Sequence, residues 1–199
     1  MSLLQAPRST LARSAERAWG ELTNPDLKAH SIRTWMFGRA LAAVDGRVID
    51  DDALYCACLL HDYGLDRSTI GVDFTLKGAD RARLAILEAN LVGGTAVDLH
   101  REVAEAICQH ATTTISPTDR TLLAYYVMAG SMADLTGLRR WEIGSNAIRY
   151  IYDHHPCREH FKKSFSALIW NEVRAVPHGR FALYAHLGFT LLLKIAPHT

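Results

Sequence analysis

Ala-Leu-Tyr-Cys-Ala-Cys-Leu-Leu-His-Asp-Tyr-Gly, residues 53–64, reads as one short and very apolar helix with a polar pair at its end. Asp50-Asp51 ahead of it is a start signal and Gly64 a stop. Leu54, Ala57, Cys58 and His61 share one face at helical spacing, so His61-Asp62 is delivered to wherever that face is buried. Outward from this run the same period returns in nearly every segment, and no stretch alternates over a strand's length. An all-α helical bundle is the expected fold.

Upstream, Leu11 to Leu22 is amphipathic, and Asn24-Pro25-Asp26 then gives the second helix a cap, a first-turn proline and an N-terminal acid. That helix carries His30 and runs to about Ala43, where Asp45-Gly46 ends it. Downstream, Leu65 to Lys77 is weakly periodic and reads as a long loop beside His61-Asp62. Gly78 to Asn90 is helical, Gly93-Gly94 breaks it, and Val97 to His110 forms the next helix. Ser116-Pro117-Thr118-Asp119 caps a helix from Arg120 to Thr136, whose apolar stripe Leu123, Val127, Gly130 carries Asp134 at its next step. Ser145 to Asp153 and Arg158 to Arg174, on either side of the turn His154-His155-Pro156, complete the shell. The apolar run Phe181 to Ala196 is shorter than the roughly 20 residues a bilayer needs and reads as packing, with a homo-oligomer contact as one use of it.

A chain of 199 residues suits one domain, 1–199, with its core in about 25–140 and the helices of 141–199 completing it. Hydrophobic residues at 49% and charged ones at 22% exclude wholesale disorder and fibrous repeats. The formal net charge of +1 offers no broad basic footprint, so no nucleic-acid partner is expected. Cys56, Cys58, Cys108 and Cys157 form no CxxC motif and are expected as reduced thiols. Arg8, Arg13 and Arg17 run through an amphipathic opening stretch unlike a secretion signal, which points to a cytoplasmic protein with no membrane association.

His30, His61, Asp62 and Asp134 each lie on or beside an apolar face. An isolated buried carboxylate costs several kcal/mol, so a core that takes in two carboxylates and two imidazoles calls for a cation. Two nitrogen and two oxygen donors suit a borderline divalent ion: zinc first, with iron, manganese or nickel as alternatives.

The ordered set H…HD…D resembles the HD-domain superfamily of metal-dependent, all-helical enzymes, whose doublet is here His61-Asp62. The stretches AHSIRTWMFGRALA (29–42), ACLLHDYGL (57–65), FTLKGADRARLAIL (74–87), VAEAICQHATTTI (103–115) and YVMAGSMADLTGL (126–138) look like successive blocks of the cyanamide hydratase family. That resemblance implies His30, His61, Asp62 and Asp134 as metal ligands, with water added across the C≡N bond of cyanamide to give urea. It also implies His110 near the metal as a proton-handling group. Arg33 stands one helical turn after His30 on the same side and is expected to orient a carboxylate. The chain departs from the family pattern in having Ala111-Thr112 after His110 in place of an acidic residue, and it matches only loosely after about residue 140.

Helical phase nominates Trp35 and Phe74 as walls of a pocket for a small-molecule substrate, with Lys77 beside it. The alternative chemistry on this fold is phosphoester hydrolysis, for which Lys77, Arg81 and Arg83 are the available cations. Tyr63-Gly64 after the doublet, where several phosphohydrolase subgroups have an acid or lysine, weighs against it. A non-catalytic signalling module is the third reading, opposed by the filled ligand positions.

Overall fold

The computed structural model describes residues 5–92, 99–112 and 115–195, and every regular element among them is helical. In chain order these are α1 (Thr10–Gly20), α2 (Pro25–Val44), α3 (Asp51–Leu60), α4 (Phe74–Leu91), α5 (Leu99–Gln109), α6 (Leu122–Thr136), α7 (Ser145–His154), α8 (Phe161–Ala175), α9 (Arg180–His186) and α10 (Phe189–Ile195). Short 3₁₀ turns lie at Tyr63–Leu65 and Arg140–Glu142. No described helix is long and apolar enough to cross a membrane. The expected break at Gly93-Gly94 and helix start at Val97 fall outside the described residues, as does Ala196.

The caps explain most of the boundaries. The Asn24 side chain accepts from the amides of Asp26 and Leu27, with Pro25 in the first turn, and α2 then runs 20 residues. Asp50 accepts from the Ala53 amide and starts α3. The loop expected to reach Lys77 is shorter than that. Asp73 accepts from the Thr75 amide and hydroxyl, which starts α4 at Phe74. Glu172 of α8 accepts from the Phe74 amide at 2.9 Å, so a helix about a hundred positions later helps to cap α4. The run after residue 180 splits into two short helices at Gly188, whose φ of 87° ends the first one.

Two apolar clusters hold these helices. The larger one is filled from α1 to α7, with Phe37, Leu41, Leu54, Leu59, Ile86, Ile107, Val127 and Ile151 among its buried members. The second gathers Leu22, Leu27, Leu65 and Phe74 under Phe161, Phe165, Ile169, Phe181 and Leu193, which are supplied by the C-terminal helices. Cys56 and Cys58 are buried free thiols in the first cluster, and burial raises the pKa of both.

Helices α2 and α6 approach until backbone meets backbone. A Cβ on Gly130 would stand 2.1 Å from the Thr34 carbonyl oxygen, and one on Gly38 would stand 2.6 Å from the Tyr126 carbonyl oxygen. Only glycine at both positions lets the two backbones meet, and that meeting sets His30 and Arg33 of α2 against Ser131 and Asp134 of α6. Gly130→Val should therefore destabilise the fold by about 1–3 kcal/mol or more, as overpacking against fixed backbone does. Thermal unfolding measures it. Gly20→Ala, at a site with nothing within 4 Å, is the control that should lose no stability.

Candidate metal centre

The α3 helix ends one residue before His61, and the chain turns there so that His61 and Asp62 both stay buried. His61 Nδ1 donates to the Cys58 carbonyl at 2.7 Å, which fixes the ring and leaves Nε2 as the lone-pair nitrogen. That Nε2 is buried with no hydrogen-bond partner and stands 3.2 Å from Asp62 Oδ2. His30 comes from the middle of the first half of α2, fully buried, and its Nδ1 donates to Asp134 Oδ2 at 2.7 Å. Its Nε2 faces Asp62 Oδ2 at 3.6 Å, with the hydroxyls of Ser131 and Thr34 at 3.3 and 3.4 Å. His110, just past α5, donates from Nδ1 to the Ile107 carbonyl at 2.6 Å and turns Nε2 toward Asp62 Oδ1 at 3.5 Å.

Three imidazoles thus present Nε2 to one buried carboxylate, each held by a hydrogen bond from its other nitrogen. Ligand atoms of His30, His61 and Asp62 lie within 4.8 Å of one another. Lone pairs and negative charge collected out of water demand a cation, and the partnerless Nε2 of His61 is the atom that shows the demand unmet. The donor set fits a borderline divalent metal.

Asp134 sits behind His30 in this arrangement. Arg33 Nε donates to its Oδ1 at 2.6 Å and Arg33 Nη2 to its Oδ2 at 2.9 Å, a two-pronged ion pair with both partners buried. The rest of the Arg33 guanidinium is met by the carbonyls of His155 and Pro156 at 3.3 Å and by the Phe161 ring at 4.9 Å. Asp134 lies outside the group of three whose ligand atoms converge; its Oδ2 instead orients His30 through Nδ1.

The charges follow from these contacts. Burial opposes ionisation of Asp62, but His61 and His110 beside it hold its pKa well below the usual carboxylate range. Burial likewise opposes charge on Asp134, and Arg33 and His30 overcome it to hold that pKa low as well. Burial lowers the pKa values of His30 and His110, whereas at His61 the Asp62 carboxylate outweighs burial and raises it.

The group opens on a cavity of about 250 Å³. Asp62, His110, Thr112 and Ser131 form its polar end, and Met128, Met132, Leu135, Leu138, Phe165, Phe181, Tyr184 and Phe189 its apolar walls. The three residues nominated as substrate contacts lie elsewhere. Trp35 is five positions past His30, about 140° around the helix, and packs edge-on against Tyr55 at 5.0 Å. Phe74 stands behind the wall, 5.8 Å from His110 and stacked on Phe181 at 4.5 Å. Lys77 is tied to the Arg67 carbonyl and, at 3.0 Å, to the Thr69 hydroxyl. The residues missed were the aromatics of α8 to α10. Phe181 and Tyr184 share one face of α9 and Phe189 opens α10, but nothing local marks them as lining a site on α6.

A helical bundle that buries two histidines and an aspartate around a metal-sized space, with a cavity beside them, has the architecture of a metal-dependent enzyme. Residues 27–131 match the HD domain, and the chain belongs to the HD domain family, whose members are generally metal-dependent enzymes and often hydrolases. No curated protein matches the chain.

Purified without chelator, the protein should hold about one divalent ion per chain, and His61→Ala should lose it. Asp134→Asn removes the charge behind His30 and leaves Arg33 buried without its counter-ion, so metal affinity should fall about 10–100-fold and stability by about 3–5 kcal/mol. Elemental analysis and competition with a chelator read the metal, and denaturant melts read the stability.

Stability of the metal-free chain should fall as pH drops below 3.8, the ordinary aspartate value. His30 and His110, with lowered pKa values, oppose His61, whose raised pKa works the other way, so the imidazoles offset one another. The carboxylates act in one direction: the unfolded chain protonates Asp62 and Asp134 first, and stability is lost as pH falls below 3.8. Denaturant melts from pH 8 to pH 3 check the slope.

Proposed function

We propose that the protein adds water to a small C≡N compound, with cyanamide going to urea as the simplest case. His30, His61 and Asp62 would hold the divalent ion, zinc first among iron, manganese and nickel, with Asp134 as the fourth residue of the set, behind His30. Such an ion, when bound, lowers the pKa of its water to near 7 and can polarise a nitrile nitrogen.

The rest falls to the chain's own side chains. Hydration of a triple bond has no leaving group, so the protein has only to place the carbon, keep bulk water out and handle a proton. His110 lines the cavity with its Nε2 beside Asp62 Oδ1, and burial keeps it neutral and able to accept a proton near neutral pH. Ser131, at the same end, offers a hydroxyl within 3.3 Å of His30. Arg33 acts through Asp134 and His30, as a positioning residue.

The observation that carries this reading is the charge of the cavity: among the described residues no lysine or arginine lines it, and so it suits a neutral substrate. The cations that a phosphoester would need are engaged elsewhere among the described residues. Arg81 pairs with Glu21 and Glu88, Arg83 with Asp80, and Lys77 with its own loop. The resemblance of five sequence blocks to the cyanamide hydratase family supports the same choice.

Metal-replete enzyme should form urea from cyanamide and release no phosphate from nucleoside monophosphates, with His61→Ala inactive on both. His110→Ala should lower kcat about 10²- to 10³-fold with the metal content unchanged, as expected for loss of a general acid or base. Phosphate release without urea, abolished in His61→Ala, would overturn the hydration reading.

A further inference from the structure

Cyanamide has three non-hydrogen atoms, and the cavity of about 250 Å³ is much larger than it needs. An apolar cavity of about 150 Å³ already accepts benzene. Beyond the polar end the walls are thioether, aliphatic and aromatic, with Met128, Met132 and Leu135 from α6 facing Phe165, Phe181 and Phe189 from the C-terminal helices. The wall is continuous with the reacting centre, because the Phe165 ring meets the His30 ring edge-on at 4.9 Å. A small polar molecule alone would leave these surfaces without a partner.

We infer that the substrate is a neutral nitrile or organic cyanamide whose apolar substituent, of the size of a benzyl group, fills the space between α6 and α8 to α10. The inference rests on the hydration reading and adds the half of the molecule that does not react. In the step, the water oxygen bonds to the nitrile carbon, two of the three carbon–nitrogen bonds are lost, and both water hydrogens end on nitrogen. R–C≡N and water give R–C(=O)NH₂, or a substituted urea when R is an amine, and nothing leaves. Seating R fixes the position of the carbon before it reacts, so the gain is expected in kcat as well as KM.

Two measurements test it. In the first, kcat/KM is compared for cyanamide, methylcyanamide and benzylcyanamide, and a rise of about 100-fold or more across the series is expected, in line with what a few buried methylenes contribute. Met132→Trp, which fills the cavity, should reverse the order of benzylcyanamide and cyanamide. In the second, toluene binding to the metal-free chain is followed by calorimetry, with saturable binding expected in the wild type and loss in Met132→Trp. Leu135→Phe, a smaller filling, serves if the tryptophan variant does not fold. Efficient cyanamide hydration with no gain from the benzyl group, or no binding of toluene, would overturn the proposed substituent while leaving hydration in place. Toluene binding with no hydration of any of the three would retain the apolar seat and refute the chemistry.

Discussion

Placing the Asp62 carboxylate out of water among His30, His61 and His110 costs several kcal/mol unless positive charge is brought to it. The surrounding structure is arranged around that cost. Each imidazole is turned by a hydrogen bond from Nδ1, two of them to a carbonyl of the preceding helical turn and one to Asp134. Asp134 and Arg33 neutralise each other, and the Arg33 Nη1 donates to the carbonyls of His155 and Pro156 that follow α7. Two charge-bearing layers result: an outer ion pair that is complete within the chain, and an inner cluster that is short of one cation. Within that cluster burial lowers the pKa values of His30 and His110, and the Asp62 carboxylate at 3.2 Å outweighs burial at His61 and raises it.

The outer layer depends on a distance between helices. Arg33 and His30 reach Asp134 because Gly38 and Gly130 let α2 and α6 approach until backbone meets backbone. Any side chain there would lengthen the bonds of 2.6 to 2.9 Å that hold Asp134. The inner layer depends on a chain reversal: α3 stops at Leu60, the backbone turns through His61 and Asp62, and consecutive residues face the same space. Packing and site geometry are therefore one problem in this protein.

His30, His61 and Asp62 were legible in the sequence because a polar residue on an apolar face is conspicuous, and Asp134 because it continues the stripe of Val127 and Gly130. The partnership of Arg33 with a carboxylate followed from its place one turn after His30. Pocket walls were not legible. Helical phase separates a buried face from an exposed one, but α2 is buried on nearly all sides, so phase could not tell the side of Trp35 from the side of His30. Phe74 was placed on the correct side and one layer too far forward, with Phe181 between it and solvent-sized space. Lys77 was assigned by proximity in sequence, and its partners lie in its own loop. The aromatics of α8 to α10 depend on contacts with elements remote in the chain, and no local pattern carries that information.

The polar floor and the apolar roof of the cavity come from different parts of the chain. His30, His61, Asp62 and His110 lie within the segment that matches the HD domain, whereas Phe165, Phe181, Tyr184 and Phe189 lie beyond it. α8 serves both parts, since Phe165 packs on the His30 ring and Phe161 on the Arg33 guanidinium, whereas α9 and α10 bring Phe181, Tyr184 and Phe189 to the roof alone. The shape of the cavity can therefore diverge in α9 and α10 at a different rate from the floor, and the turn at Gly179 between α8 and α9 is a natural seam for recombination.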